Sequence, residues 1–173
     1  MSPKIWIARD YVNCSGCRRC EVACSVLHEG KIWPEASRIR VFMLVPGAEV
    51  PHLCAQCDDA PCISSCPVDA LSINEKTGAI IVDEGKCIAC GNCIKACPGR
   101  VPTIHPTRNM AIICDLCDGE PQCAKVCQEG RYNALWVVEE SDSMSYKLYA
   151  KTPDIPTKEL ARRLYGDISK ELV

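Results

Sequence analysis

The stretch "CIACGNCIKACPGR", residues 87–100, places four cysteines within eleven positions and follows the last of them with proline. Its spacing is C-x2-C-x2-C-x3-C. The first three cysteines are three residues apart, and the fourth follows four residues after the third. Thiols this close together indicate a shared role, either as ligands of a metal centre or as partners in disulfides. The choice matters for the whole chain, because sixteen cysteines occur among its 173 residues.

The cysteines form an internal repeat of four groups, and none is left over. Each group has a triplet and a fourth cysteine that follows after three residues. The second gap widens from two residues to four in group two and to five in group four. Repetition of one pattern indicates that the same chemistry is used four times. Group one is Cys14, Cys17, Cys20 and Cys24; group two is Cys54, Cys57, Cys62 and Cys66; group three is Cys87, Cys90, Cys93 and Cys97; group four is Cys114, Cys117, Cys123 and Cys127.

The spacing of group three is the one that bacterial ferredoxins use to bind [4Fe–4S] clusters, with the fourth cysteine ligating the other cluster. A cubane presents iron at four corners, and a tight loop with a thiolate at every third residue can cap three of them. Backbone N–H groups of that loop then face the cluster. We expect the fourth cysteine to stand at the start of a short helix and to point away from its own triplet. The sequence predicts four [4Fe–4S] clusters and sixteen iron atoms per chain.

Two alternatives remain open at this stage. Structural zinc also uses four cysteines, although typically as two C-x2-4-C pairs separated by a longer loop. A disulfide network would need an oxidising compartment. The opening residues "MSPKIWIARDYVNC" contain neither the apolar core of a secretion signal nor a twin arginine, so we expect a cytoplasmic protein.

Charge and hydropathy exclude two classes of partner. Twenty Lys and Arg against 22 Asp and Glu give a formal charge of −2, which offers no electrostatic basis for binding nucleic acid. The longest apolar stretches are far too short to span a bilayer. Aromatic residues make up only 5 % of the chain, so we expect something other than side chains to fill much of the interior.

The segments between the cysteine groups predict small antiparallel hairpins. Residues 71–73 and 80–82 alternate in polarity around a turn that contains Gly78, so groups two and three form one ferredoxin-like unit over residues 50–105. "KIWIARDY" before group one and "YNALWVVEE" after group four are predicted strands, and "SRIRVFMLV" is a further candidate.

These elements predict an α+β fold of two interleaved bacterial-ferredoxin-like units, each holding two [4Fe–4S] clusters. The two ends of the chain meet to build the outer unit, residues 1–49 and 106–150, around the inner one. Residues 151–173 form a C-terminal tail whose leucines and isoleucine recur at i+4 spacing, which favours an amphipathic helix that Gly166 weakens. Packing on the chain's own body and docking to a partner both remain open for that helix.

Four groups in this order resemble the electron-transfer subunits of multisubunit redox enzymes. These include the beta subunits of dimethyl-sulfoxide-reductase-type molybdenum enzymes and the small subunits of formate hydrogenlyase. The resemblance covers residues 4–140. The stretch "NCSGCRRCEVACSVLHEGKIWPEASRIRVFMLVPG" looks most like the iron–sulfur small subunits of tungsten-dependent aldehyde oxidoreductases.

The resemblance implies which thiols share a cluster. In that family the first and fourth groups share two clusters, and the second and third share the other two. The implied ligand sets are Cys14, Cys17, Cys20 with Cys127; Cys114, Cys117, Cys123 with Cys24; Cys54, Cys57, Cys62 with Cys97; and Cys87, Cys90, Cys93 with Cys66.

An electron relay is favoured over a self-contained catalyst, because all sixteen thiols are used and no nucleotide-binding or radical motif is present. The resemblance implies a large tungsten- or molybdenum-pterin catalytic subunit as partner, with a flavin/NAD-binding subunit or further copies of the chain as additional ones. We expect no catalytic residues. We expect His28, His52 and His105 to be structural rather than metal ligands, although His28 and His52 are placed to tune a nearby cluster.

Overall fold

The computed structural model describes residues 4–139 and 148–172 of the chain. It consists of four two-stranded antiparallel sheets joined by short helices. The strands are β1 (Ile5–Arg9), β2 (Arg40–Val45), β3 (Ala48–His52), β4 (Leu71–Ile73), β5 (Ile80–Val82), β6 (Thr103–Ile104), β7 (Ala111–Ile112) and β8 (Leu135–Glu139). The helices are α1 (Arg19–Glu29), α2 (Pro61–Ser64), α3 (Asn92–Ala96), α4 (Gln122–Glu129), α5 (Asp154–Tyr165) and α6 (Ser169–Leu172).

The two ends of the cysteine-bearing region meet in one sheet. β1 pairs antiparallel with β8, with Ile5 opposite Glu139 and Arg9 opposite Leu135. Helix α1 of group one packs against α4 of group four. The predicted strands at both ends, and their meeting, are therefore confirmed. The pairing spans nearly the whole chain, so it brings the first and fourth cysteine groups to the same part of the molecule.

The hairpin predicted between groups two and three is also confirmed. β4 pairs with β5, with Leu71 opposite Val82 and Ile73 opposite Ile80. Gly78 has φ +76, the left-handed conformation that glycine adopts without strain, and its N–H donates to the carbonyl of Asn74 at 2.7 Å. This hairpin places α2 and α3, which carry groups two and three, in contact.

Two further hairpins were not predicted. The candidate strand in "SRIRVFMLV" is confirmed as β2, but it pairs with β3, which follows the tight turn at Pro46 and Gly47. β3 contains Pro51, a residue that argues against a strand when it is met in sequence. The pair β6–β7 has only two residues in each strand, too few for an alternating pattern to be recognised.

The expected position of the helices relative to the cysteines was wrong. The fourth cysteine does not start a helix. The third cysteine lies within the first two residues of each of α1, α2, α3 and α4, and the fourth comes one turn later. Four residues of helix rise about 6 Å. In α1 and α4 both cysteines lie on the helix, so this rise separates their thiols along the axis. In groups two and three the fourth cysteine lies just beyond the end of α2 or α3.

Cysteines make up a large part of the core. One buried cluster combines Ile7, Ile39, Leu53 and Leu135 with cysteines of groups one and four. A second combines Leu71 and Ile80 with cysteines of groups two and three. Thiols and aliphatic side chains therefore share the core.

The tail forms helix α5, which is held to the body by one side. Leu160 and Ala161 are buried against Val45, Ala48 and Val50 of the β2–β3 hairpin. The other members of the i+4 series, Leu164, Ile168 and Leu172, are exposed. The helix ends at Gly166. Packing on the chain's own body is therefore correct for Leu160, while the rest of the series faces away from the core.

No helix in residues 4–139 or 148–172 combines the length and the apolar character that a bilayer crossing requires.

Candidate metal centres

Four cavities in the structure are each lined by four cysteines, three from one group and one from another. Their volumes range from about 270 to about 410 Å³. We name them sites I to IV. Site I is lined by Cys14, Cys17, Cys20 and Cys127; site II by Cys114, Cys117, Cys123 and Cys24; site III by Cys54, Cys57, Cys62 and Cys97; site IV by Cys87, Cys90, Cys93 and Cys66.

The loops that surround the sites share one backbone conformation. The residue two positions after the first cysteine of each group has positive φ: Gly16, Gln56, Ala89 and Leu116. Left-handed residues in a tight loop turn successive N–H groups toward one side and create a concave, anion-binding surface. At Gly16 a Cβ atom would lie 2.6 Å from Glu49 Cγ, so that position requires glycine. Only this glycine could have signalled the conformation in sequence.

Backbone N–H groups donate hydrogen bonds to the thiol sulfurs. The donors and sulfurs, with N···S distances, are Arg38 to Cys24 (3.2 Å), Ala70 to Cys66 (3.3 Å), Ala111 to Cys87 (3.3 Å) and Gln56 to Cys54 (3.5 Å). Such bonds stabilise thiolate over thiol and orient the sulfur toward a metal.

Several thiols, at least one in each site, are strongly disfavoured as free thiolates. Burial raises the pKa of Cys20 and Cys54 to about 12, and that of Cys57, Cys93 and Cys117 to about 11. Four buried thiols around one cavity can ionise together only if positive charge occupies the cavity, which a metal centre supplies. The donor set therefore fits a metal centre.

The sulfurs are too far apart to share a single zinc ion. Among the described residues, which include all sixteen cysteines, no three cysteine sulfurs lie within 4.8 Å of one another. Tetrahedral zinc with Zn–S bonds of about 2.3 Å would need sulfurs about 3.8 Å apart. One mixed group does bring three ligand atoms this close together. It consists of His28, Asp115 and Cys117, and Cys117 is one of the four cysteines of site II. The wide spacing suits a cluster of several metal atoms.

The sites adjoin one another in the order I, II, III, IV. Thiols of neighbouring sites belong to the same buried clusters. The first cluster contains Cys20 of site I, Cys114 and Cys123 of site II and, packed against it, Cys54 of site III; the second contains Cys62 of site III and Cys93 of site IV. Cys54 also packs against both hydrophobic clusters of the core. The four sites form a continuous series.

The two ends of this series reach the surface. Cys17 of site I and Cys90 of site IV are the two exposed cysteines of the sixteen. Site II, by contrast, is lined by three buried cysteines, Cys24, Cys114 and Cys123. The terminal sites are therefore the accessible ones.

His28 lies directly at site II. Its Nδ1–H donates to the carbonyl of Cys24 at 2.7 Å and lies 3.7 Å from the Cys24 sulfur, while Nε2–H donates to Asp115 at 3.0 Å. Burial alone would lower the pKa of His28, but the hydrogen bonds to Asp115 and Cys24 outweigh it and raise the pKa to about 10. An imidazolium therefore lies beside the fourth thiol of group one. It lowers the pKa of Cys24 despite burial, together with the N–H of Arg38.

The other two histidines are structural and lie inside the protein. His52 Nε2–H donates to the carbonyl of Gly99 at 2.8 Å, and burial together with the charge of Arg9 lowers its pKa to about 4. His105 Nδ1 accepts from the N–H groups of Thr107 and Arg108, so its Nε2–H donates to Glu29. Sequence reasoning gave no hint of the partners of either histidine, because these lie 47 and 76 residues away.

Comparison with known proteins identifies the class of metal centre. Residues 47–135, just over half of the chain, match the family model described as 4Fe-4S dicluster domain, and residues 13–27 match a 4Fe-4S binding domain. The polyferredoxin-like subunit of the aliphatic sulfonate oxidoreductase of Pyrococcus furiosus is 51 % identical over 164 residues, which cover 95 % of each chain.

Two further relatives and one solved structure match over much of the chain. The B subunit of the polysulfide reductase of Wolinella succinogenes is 30 % identical, and the match covers 92 % of this protein and 90 % of that subunit. The thiosulfate reductase electron transfer subunit PhsB of Salmonella typhi is 34 % identical over 68 % of each protein. A subunit in the structure of the active site complex BamBC of benzoyl coenzyme A reductase, bound to benzoyl-CoA, is 26 % identical over 96 % of both proteins with a TM-score of 0.45. On its match to the family model and to the Pyrococcus furiosus relative, the chain belongs to the 4Fe-4S dicluster domain family and is an iron–sulfur protein of ferredoxin type.

Proposed function

We propose that the chain is a non-catalytic electron-transfer subunit of an oxidoreductase complex that relays single electrons through four [4Fe–4S] clusters. One observation carries this proposal: four four-cysteine sites adjoin in series, and only the terminal sites have an exposed cysteine. When bound, a [4Fe–4S] cluster accepts and returns one electron with little rearrangement. The chain's part is to hold the clusters in order, to exclude solvent from the middle of the series and to set their potentials through hydrogen bonds, charge and burial.

The ligand sets that we propose are the four cysteine sets of sites I to IV. Support comes from the shared cavities and from the one-turn separation of the third and fourth thiols. We also propose that groups one and four form an outer unit (residues 1–49 and 106–150) around an inner unit (residues 50–105). The β1–β8 pairing and the contact between α1 and α4 support this division. A reducing compartment such as the cytoplasm would keep sixteen thiols available for iron.

Metal analysis and an activity assay together test the proposal. The purified chain should contain about sixteen iron and sixteen sulfide per chain and should bleach on addition of dithionite. The same preparation alone should not oxidise aldehydes, sulfonates, formate or hydrogen. A colourless protein with stoichiometric zinc would contradict the cofactor assignment, and substrate turnover by the isolated chain would contradict the relay.

For the catalytic partner we propose a large tungsten-pterin subunit that oxidises aldehydes. Support comes from the resemblance of the stretch that contains group one to the small subunits of such enzymes. A molybdenum-pterin partner of the sulfoxide-reductase or formate hydrogenlyase type is the alternative. A flavin/NAD-binding subunit or further copies of this chain would extend the path to the final acceptor.

A sulfonate-oxidising partner is a second candidate, favoured by the 51 % identity to the subunit of the Pyrococcus furiosus sulfonate oxidoreductase. Isolation of the native complex, with tungsten and molybdenum measured on it, separates the metals. Assays with an aldehyde and with an aliphatic sulfonate, each with viologen as acceptor, separate the substrates. If the complex reduces viologen with the sulfonate but not with the aldehyde, the proposed aldehyde-oxidising partner is rejected.

A further inference from the structure

Arg9 is a buried cation in the interior of the molecule. It is the last residue of β1, lies opposite Leu135, and is 4 % exposed. Its Nη2–H donates to the carbonyl of Cys54 at 3.0 Å, and the guanidinium carbon lies 4.6 Å from the centre of the Tyr149 ring. Tyr149 also exchanges hydrogen bonds with the Arg9 backbone, so β1 and the aromatic ring fix the side chain.

Two nitrogens of this guanidinium have no acceptor at hydrogen-bond geometry, although the Tyr11 side chain lies close to Arg9. Nε and Nη1 are both buried and make no hydrogen bond. Within residues 4–139 and 148–172, no carboxylate forms an ion pair with Arg9. A buried charge that lacks a counter-charge is strongly destabilising, and unpaired buried N–H groups add to that penalty. An anionic group at this place would satisfy both.

Arg9 lies at the junction of the two central sites. Its Nη2–H donates to the carbonyl of Cys54 in site III, and Ile7 of the same strand lies in one buried cluster with Cys54 and with Cys114 of site II. The loops of these two sites are tied together beside it, because the Gln56 side-chain N–H donates to the carbonyl of Cys114 at 3.2 Å. Arg9 therefore lies beside the place where the loops of sites II and III meet.

We propose that Arg9 is a positioning residue for electron transfer between sites II and III, a fixed cation that raises the potentials of both central clusters. A [4Fe–4S]²⁺ core with four thiolates has a net charge of about −2, which becomes about −3 when one electron enters. A cation held beside two such groups stabilises each reduced form more than the oxidised form. Arginine keeps its proton, so Arg9 performs this role while no proton moves with the electron.

This inference rests on the proposed four-cluster function, and a redox titration monitored by electron paramagnetic resonance tests it. Arg9→Met removes the charge and keeps an apolar chain of similar length. Two of the four reduction equilibria should become at least about tenfold less favourable, a shift of about 59 mV each for one electron, while the other two stay unchanged. Arg9→Lys keeps the positive charge, so each of the four potentials should change by less than about 59 mV. Arg163→Met is the matched control, because it also removes one positive charge, from an exposed ion pair with Glu159 on α5. It should shift none of the four reduction potentials.

The outcomes separate this inference from the proposed function. Fewer than four clusters in the wild-type protein would overturn the relay itself. Four clusters with unchanged potentials in Arg9→Met, or an equal shift of all four, would overturn only the role of Arg9. Arg9→Gln, which retains an N–H donor for the Cys54 carbonyl, is the second neutral variant. If neither neutral variant takes up iron and Arg9→Lys does, Arg9 is needed for assembly and the redox role is rejected.

Discussion

The single residue that decides the pairing of ligands is the fourth cysteine of each group. In group three, Cys93 lies at the start of α3 and lines site IV, whereas Cys97 follows the end of the helix and lines site III. The step from one cysteine to the other is about one helical turn. One short helix thereby links two neighbouring sites in every group, with the fourth cysteine inside α1 and α4 and just beyond the end of α2 and α3.

Double substitutions test this pairing by counting clusters. Cys97→Ser combined with Cys54→Ser should remove two ligands from one site and leave about twelve iron atoms. Cys97→Ser combined with Cys87→Ser should remove one ligand from each of two sites, convert both clusters to three-iron clusters and leave about fourteen iron atoms. Iron analysis with electron paramagnetic resonance of the residual clusters gives the answer. The reverse result, with the Cys97 and Cys87 pair losing a single cluster, would show that each group holds its own cluster.

Among the elements, helix α5 is attached to the body through the β2–β3 hairpin. Leu160 is 6 % exposed and packs on the β2–β3 hairpin, and the Tyr165 hydroxyl donates to the carbonyl of Pro46. The hairpin leads directly into group two through Leu53. The contact therefore holds the tail against the segment that connects cysteine groups one and two. The tail itself contains no cysteine.

Leu160→Ala should weaken this attachment by about 2–3 kcal/mol, because it leaves a cavity between α5 and the hairpin. Leu164→Ala on the same helix, at a side chain that is 54 % exposed, should change it by less than about 0.5 kcal/mol. Amide hydrogen exchange of α5 measures the local opening free energy in each variant. Equal protection in both variants would mean that the Leu160 contact does not hold the helix. Iron content should remain that of the wild type in both.

At the scale of the whole molecule, the series of sites has an exposed cysteine at each end and none in between. Cys17 and Cys90 reach the surface at sites I and IV, and Arg9 lies between sites II and III. In the proposed relay, an electron that enters at one end passes both central sites before it leaves at the other. The arrangement suits an electron relay better than a substrate-binding pocket.

Loss of a central site should therefore interrupt the path. In the native complex, Cys54→Ser with Cys57→Ser removes site III, and the partner's substrate should then reduce only the clusters on one side of the gap. Dithionite, which is small and needs no path through the protein, should reduce all three remaining clusters. Stopped-flow spectra of both reactions give the comparison. Rapid reduction of all three clusters by the substrate would contradict the serial order.

The sequence alone determined the repeat, the kind of cofactor, the β4–β5 hairpin and the strands that join the chain ends. The repeat, the individual strands and the hairpin were recognised from local patterns, because cysteine spacing fits a cluster within a few residues and Gly78 fixes a turn within one hairpin. The pairing of β1 with β8 joins distant segments, and it was expected because cysteine groups one and four flank the inner unit. The sequence did not determine where the helices start relative to the thiols, nor the β2–β3 and β6–β7 hairpins, whose strands contain a proline or are only two residues long.

Only the tertiary structure decided what surrounds each thiol. His28 meets Asp115 from 87 residues away, and Arg9 reaches Cys54 from 45 residues away. Neither contact has a sequence pattern, because long-range packing of α1, β1 and the group-two loop creates both. The cysteines thus determine that metal clusters bind, whereas charges brought near by the fold, Arg9 and His28 above all, determine the electrostatic environment of those clusters.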